Sequence, residues 1–310
     1  MAQGNTDGSR DAIRIEYAEA TWDPIAGCTR KSAACRHCYA EALTAEASQP
    51  GMWGEGFADK GAGGASWTGK VEIQEDRLKL PLEWEKPSRI FVNSISDLFH
   101  ESLASEVIDR VFAVMALAPQ HIFQVLTKRP KVMQAYMADK AARARIESAM
   151  EALAGSPVKI AGWPLPNVWL GVTAENQKEA DRRIPLLLQT PAALRWAAAE
   201  PLLEKVDFKV GTWLKADGAG PRLDWIVAGG ETGAEGQKCH PDWARALRDQ
   251  CAQGATPFFW TQWGEHIPSS GVAAPSDATA PVTFTRIGSG PASRELDGIL
   301  HDAYPPKAGA

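Results

Sequence analysis

Short runs of apolar residues, rich in β-branched and aromatic side chains, recur along the chain at 90–93, 122–126, 168–172, 194–198, 224–228 and 257–260. Each has the length and composition of a buried strand. A shorter segment at 20–23 precedes them as a first strand. Between the runs the apolar positions take a helical period. Ser105–Leu117 gathers Val107, Ile108, Val111, Phe112, Val114 and Met115, and 240–252 gathers Trp243, Ala244, Leu247 and Cys251. Strand alternating with helix predicts parallel strands joined by helical crossovers. About six such units curl most economically into an α/β partial (β/α) barrel, with an open doubly wound sheet as the alternative.

Two segments break the alternation. Residues 51–69 are crowded with glycine and carry Trp53, Phe57 and Trp67, and the chain beyond Pro268 is rich in Pro, Gly, Ser and Ala. Both read as loops or appendages, the first as a lid or a pinned surface loop. The expected layout is a polar tail over 1–14, a barrel over 15–266 with an insertion at 48–70, and an extension over 267–310. Twelve tryptophans among 310 residues are many. Trp22, Trp169, Trp196, Trp225, Trp260 and Trp263 lie in or beside strands, so most belong to the core, with one or two free to stack on a ligand at the mouth.

Charge narrows the function. With 33 basic and 38 acidic residues the chain carries −5, which disfavours nonspecific coating of nucleic acid. No apolar run approaches the roughly 18 residues of a membrane span, and Met1 to Asp11 lacks a secretory signal. A cytoplasmic protein without a membrane partner is expected. Five cysteines, an odd set without an export signal, point away from disulfides and towards metal chemistry. Cys28, Cys35 and Cys38 form a C-x6-C-x2-C cluster after the first strand, where β/α barrels place their active sites, and Cys38 is followed by a predicted helix over 39–47. Neighbouring Arg30, Lys31 and Arg36 should favour the thiolates. Three ligands suit an iron–sulfur cluster with one open iron; His37, His240 or Cys239 would instead complete a zinc site, and inert buried thiols are the third reading.

Polar residues follow nearly every strand run: Asn93 and Asp97; Thr127, Lys128 and Arg129; Thr173, Glu175 and Asn176; Glu200; Glu231 and Thr232; Gln262 and Glu265. In a parallel barrel these positions ring one mouth. Individually they could equally be helix caps or structural ion pairs, Arg129 or Lys128 with Asp97 or Glu200 for example. Lys128, Glu200 and Glu231 are the candidates for catalysis. His100 and His121 fit structural as well as catalytic roles.

Together, Trp22-Asp23-Pro24 through Cys38-Tyr39-Ala40, Asn93-Ser94-Ile95-Ser96-Asp97, Leu126-Thr127-Lys128-Arg129-Pro130, Gly171-Val172-Thr173-Ala174-Glu175-Asn176, Ala199-Glu200-Pro201-Leu202, Gly229-Gly230-Glu231 and Gln262-Trp263-Gly264-Glu265 resemble a three-Cys-motif family of phage and bacterial proteins within the radical S-adenosylmethionine superfamily. The likeness spans about 15–266. It implies a 4Fe-4S cluster on Cys28, Cys35 and Cys38, with S-adenosylmethionine on the fourth iron. It also implies a cofactor site drawn from Tyr39, Asn93, Ser94, Asp97, Thr127, Lys128, Thr173, Glu175 and Glu200. The implied activity is hydrogen abstraction by a 5′-deoxyadenosyl radical, of isomerase or lyase type, served by a flavodoxin-like electron donor. A nucleic-acid base or modified nucleotide is the implied substrate, as in phage DNA hypermodification or base repair, and the location would be the host cytoplasm. The chain departs from the superfamily's usual C-x3-C-x2-C spacing, has His37 where an aromatic residue is usual, and lacks Gly-Gly-Glu after the second strand. The competing reading is a zinc-stabilised binding module without catalysis.

Overall fold

Burial on both faces is why the strands read as unbroken apolar runs: all six residues of Val168–Thr173 are buried. The computed structural model describes residues 15–217, 219–233, 235–269, 282–287 and 294–306. The tail expected over 1–14 lies outside them, as does much of the expected extension.

Seven strands form one sheet in chain order: β1 (Ala20–Trp22), β2 (Arg89–Val92), β3 (Ile122–Thr127), β4 (Val168–Thr173), β5 (Leu194–Ala199), β6 (Trp225–Ala228) and β7 (Phe258–Trp260). Every neighbouring pair is parallel. The sheet curls into a half barrel whose end strands do not pair, one strand more than the six or so expected. Helices α1 (Tyr39–Glu46), α2 (Ser105–Leu117), α3 (Pro130–Ala138), α4 (Ala142–Ala154), α5 (Gln177–Gln189) and α6 (Pro241–Gln253) lie between the strands in the chain. No helix among the described residues is long and apolar enough to cross a membrane.

The pleat sorts each strand's residues between two cores. Ile90, Val92, Phe123, Val125, Leu170 and Val172 join the helices in the larger one. Their alternates, Phe91, Trp169, Trp196, Trp225, Val227 and Phe259, fill the bore together with Tyr17. Tyr17 meets Phe91, Trp196, Trp225 and Phe259 edge-on, at 5.6–5.9 Å between ring centroids. Gly171 makes room for this packing, because a Cβ there would lie 2.4 Å from the Trp196 ring.

The glycine-rich insertion is more ordered than its composition implies. Ala58–Gly61 and Gly64–Trp67 form an antiparallel hairpin against α1. The boundary expected after residue 266 falls inside the strand His266–Pro268, which pairs with Phe284–Arg286. Further on, Trp260 N donates to His301 O at 2.8 Å and Ala303 N to Phe258 O at 3.3 Å, so residues 301–303 lie along β7. Tyr304 then packs on Trp225 at 5.4 Å.

Replacing Gly171 by Ala should cost about 1–3 kcal/mol, because the added methyl overpacks a filled bore. The denaturant midpoint measures this, and an unchanged midpoint would show that the bore is loosely packed.

Candidate functional site

The loop leaving β1 is held in shape before any ligand arrives. Gly27 has φ +85°, and a Cβ there would lie 2.0 Å from Lys70 O, so no other residue fits without displacing the backbone. A 3-10 turn over Ala33–Cys35 follows, with Lys31 N donating to Cys35 Sγ at 3.3 Å. Cys38 occupies the N-cap position of α1. Arg30 pairs with Glu41 at 2.7 Å, and Glu41 accepts from Trp67 N at 2.9 Å, which ties the loop and α1 to the hairpin.

Cys28, Cys35 and Cys38 all line one cavity of about 410 Å³ at the carboxyl end of the sheet. Burial and the nearby Asp97 carboxylate push the Cys28 thiol up to about 12, and burial raises Cys38, against the backbone amides of Glu41 and Ala40. Arg30 is engaged by Glu41 and Lys31 by Glu101, although the Arg30 charge still acts on Cys35 and Cys38. The cations that face the sulfurs are Lys128 and Arg129, from the end of β3.

Arg129 is the hub of this region. Its side chain is 1 % exposed and donates to Asp97 Oδ2 at 2.9 Å, Glu101 Oε2 at 2.6 Å, Thr29 Oγ1 at 2.8 Å, Thr29 O at 3.1 Å and Cys28 Sγ at 3.9 Å. Asp97 also accepts from Thr127 Oγ1 at 2.6 Å and from the amides of Phe99 and Lys128. Asp97, Thr127 and Arg129 therefore form a buried frame, the structural ion pair foreseen as one alternative, and they present little free hydrogen-bonding capacity to a ligand.

The remaining candidates divide. Asn93, Ser94, Lys128, Thr173, Glu200 and Glu231 line the cavity, as does Tyr39, whose hydroxyl donates to Ser94 O at 2.9 Å. Among the described residues Asn93 Oδ1 and Thr173 Oγ1 have no hydrogen-bond partner, and the Lys128 ammonium forms no hydrogen bond or ion pair. Burial disfavours charge on Lys128, but Cys35, Cys38 and Glu175 outweigh it and hold the ammonium protonated. Asn93 takes a left-handed φ of +65°, a conformation asparagine tolerates better than most residues. Ser94 Oγ donates to Asp23 at 3.0 Å. Glu231 accepts from Gln237 N at 2.8 Å and lies 3.3 Å from His37 Nδ1.

Glu175 is placed elsewhere. It does not line the cavity and pairs with Arg183 at 2.8 Å, both side chains fully buried. Asn176 caps α5 by accepting from Glu179 N at 2.9 Å. Glu265 takes Arg286 at 2.8 Å, whereas Thr232 and Gln262 do reach the cavity. His100 is a bridge within the frame, its Nε2 2.8 Å from Thr29 Oγ1. Trp169, Trp196 and Trp225 fill the bore, and the cavity wall takes Trp67, from the insertion.

Sequence reasoning missed Tyr17, Glu101 and Thr29 as parts of the site, whereas it includes Trp67 in the insertion read as a lid or a pinned surface loop. Tyr17 precedes the first strand run, and nothing in its local pattern separates it from a surface tyrosine. Glu101 follows the Asn93 to His100 segment, and its proximity to Lys31 depends on two loops meeting in space.

A metal centre must be judged on the donors present. Among the described residues no three His, Cys, Asp or Glu side chains stand in an arrangement that could hold a metal ion. The three sulfurs thus share a cavity without converging on a point, and a bound centre would have to draw them together and displace their protons. The donor set itself fits: soft thiols with cations beside them suit an iron–sulfur centre better than an oxygen-seeking metal. Of the residues expected to complete a zinc site, His37 lines the cavity, whereas Cys239 and His240 do not.

Two predictions follow from the frame. Arg129→Met should cost about 3–5 kcal/mol, because it leaves Asp97 buried without its cation; a urea-midpoint loss below about 1 kcal/mol would reduce the pair to surface-bridge strength. Partial burial favours protonated Glu101, yet hydrogen bonds from Lys31 and Arg129 hold its carboxyl down to about 2. A depressed folded-state value stabilises the fold above the ordinary carboxyl value of 4.5, and that contribution is lost as pH falls through about 2. Stability curves of wild type and Glu101→Gln should therefore run apart above pH 4.5 and converge towards pH 2; a constant gap would contradict this.

A family model described as "Protein of unknown function (DUF5131)" matches residues 12–305. No curated protein and no solved structure matches. Because that match spans nearly the whole chain, from before β1 to the segment lying along β7, the chain belongs to the DUF5131 family.

Proposed function

We propose that this chain is a radical S-adenosylmethionine enzyme, with Cys28, Cys35 and Cys38 holding a 4Fe-4S cluster. The observation that carries this reading is the meeting of three thiols, two cations and unpartnered polar groups in one cavity at the carboxyl end of an all-parallel half barrel. When bound, such a cluster would supply one electron to cleave S-adenosylmethionine, yielding a deoxyadenosyl radical that takes hydrogen from a substrate.

The protein's own groups have distinct tasks. Arg129 and Lys128 balance the thiolate charge at Cys28 and Cys38, two thiols that burial alone would keep protonated. Asn93 Oδ1, Thr173 Oγ1 and the Lys128 ammonium offer an acceptor, a hydroxyl and a cation to a polar cofactor tail, and they follow or end three adjacent strands, β2, β3 and β4. Tyr39 and Trp67 provide ring surface at the wall. Glu200 and Glu231 reach the same cavity from the loops after β5 and β6, where they would orient a substrate. A base held in duplex DNA would have to be flipped to enter, and −5 of net charge opposes that approach, so a modified nucleotide or single base is the better-suited substrate. The electron would come from a flavodoxin-like donor.

Anaerobic reconstitution tests the reading. The wild type should hold about four iron and four sulfide per chain and release 5′-deoxyadenosine from S-adenosylmethionine under a chemical reductant. Cys28→Ala, Cys35→Ala and Cys38→Ala should each reduce both to background. A colourless protein holding one zinc would establish the binding module instead.

A further inference from the structure

The cavity holds a phenol that the cluster reading leaves without a task. Tyr17 is 2 % exposed yet lines the cavity together with Glu200; burial raises the phenol's pKa, and the Glu200 carboxyl is close enough to raise it further. Glu200 Oε1 accepts from Thr261 Oγ1 at 2.6 Å. Gly229 keeps this corner open, since a Cβ there would lie 2.0 Å from Thr261 Oγ1 and 3.0 Å from Glu200 Oε1. The Tyr17 backbone is fixed from within the bore, with Gln124 Nε2 donating to its carbonyl at 3.2 Å. Below the hydroxyl the ring is enclosed by Phe91, Trp196, Trp225 and Phe259. A phenol lining a reaction cavity, a carboxyl lining the same cavity close by and apolar rings around the remainder have the surroundings of a redox-active tyrosine: a proton partner on one side and exclusion of water on the other.

We propose that Tyr17 is a hydrogen-atom donor to carbon radicals formed in this cavity, with Glu200 as its proton partner. This rests on the radical reading of the site. The phenol O–H bond is weaker than an alkyl C–H bond, so the transfer runs downhill. The O–H bond of Tyr17 breaks homolytically, a C–H bond forms on the carbon radical, and a phenoxyl radical is left on Tyr17. Restoring the phenol takes one electron from an external one-electron donor of the flavin or iron–sulfur class, and one proton from Glu200 that solvent replaces. Ring contacts from Tyr17 to Trp225 at 5.6 Å and from Trp225 to the half-buried Tyr304 at 5.4 Å lead away from the cavity and offer that electron a path. Tyr39 is the competing phenol, but its hydroxyl donates to a backbone carbonyl, which cannot take up a proton.

The test is isotopic. Reconstituted protein is given S-adenosylmethionine and a chemical reductant in D2O without substrate, and 5′-deoxyadenosine is analysed by mass. The phenol hydrogen exchanges with solvent, so wild type should yield product carrying one deuterium. Tyr17→Phe should lose most of that label, whereas Tyr136→Phe, outside the cavity, should keep it. Label unchanged in Tyr17→Phe, or lost equally in Tyr136→Phe, overturns the assignment while leaving the cluster reading intact. Absence of 5′-deoxyadenosine from every protein overturns both. A second measurement is independent of the cluster: flash oxidation of the metal-free protein should give a tyrosyl radical whose yield falls in Tyr17→Phe and whose formation slows in Glu200→Gln. Equal yields and rates in all proteins would overturn the pairing of Tyr17 with Glu200.

Discussion

A buried ion pair holds the site together. Arg129 and Asp97 are both removed from water, and the pair is tolerable only because almost every remaining hydrogen-bonding position on the two side chains is filled from nearby loops. That requirement makes the pair an organiser. Thr29 fixes the cysteine loop to it, Thr127 and the Lys128 amide fix the end of β3, and the Phe99 amide fixes the segment after β2. Three stretches of chain far apart in sequence thereby converge on the wall beside Cys28.

The rest of the cavity is built around that frame. The thiols, Lys128, Arg129, Glu200, Glu231 and Tyr17 share about 410 Å³, and Glu231 lies 3.3 Å from His37, which stands between Cys35 and Cys38 in the chain. Carboxyls and sulfurs therefore meet in one chamber, because adjacent parallel strands deliver their terminal residues side by side.

Much of this was legible in the sequence. The apolar runs marked six of the seven strands because doubly buried parallel strands leave an unbroken signal, and Ser105–Leu117 was readable to the residue from its helical period. The ring of strand-end residues was also visible as a set, since topology alone forces them to one mouth. Individual roles were harder to read. Glu175 looks like Glu200 in sequence, yet a buried arginine eight residues on, Arg183, draws it out of the cavity. The glycine-rich insertion hid a hairpin, because its pairing relies on Gly61 and Gly64 at a tight turn and on contacts with α1 instead of an apolar alternation. The acidic partners of Arg30 and Lys31 were equally hidden: Glu41 and Glu101 claim them in space, although the Arg30 charge still acts on Cys35 and Cys38.

The final described residues along β7 have an implication for how the molecule meets its own copies. A half barrel has two exposed borders, each a row of backbone donors and acceptors able to recruit a strand from another molecule. On one border β1 is only three residues long. On the other, His301 and Ala303 already occupy hydrogen-bonding positions of β7, with Tyr304 anchoring them against Trp225. An incomplete cylinder can therefore remain open at its side without becoming a template for polymerisation.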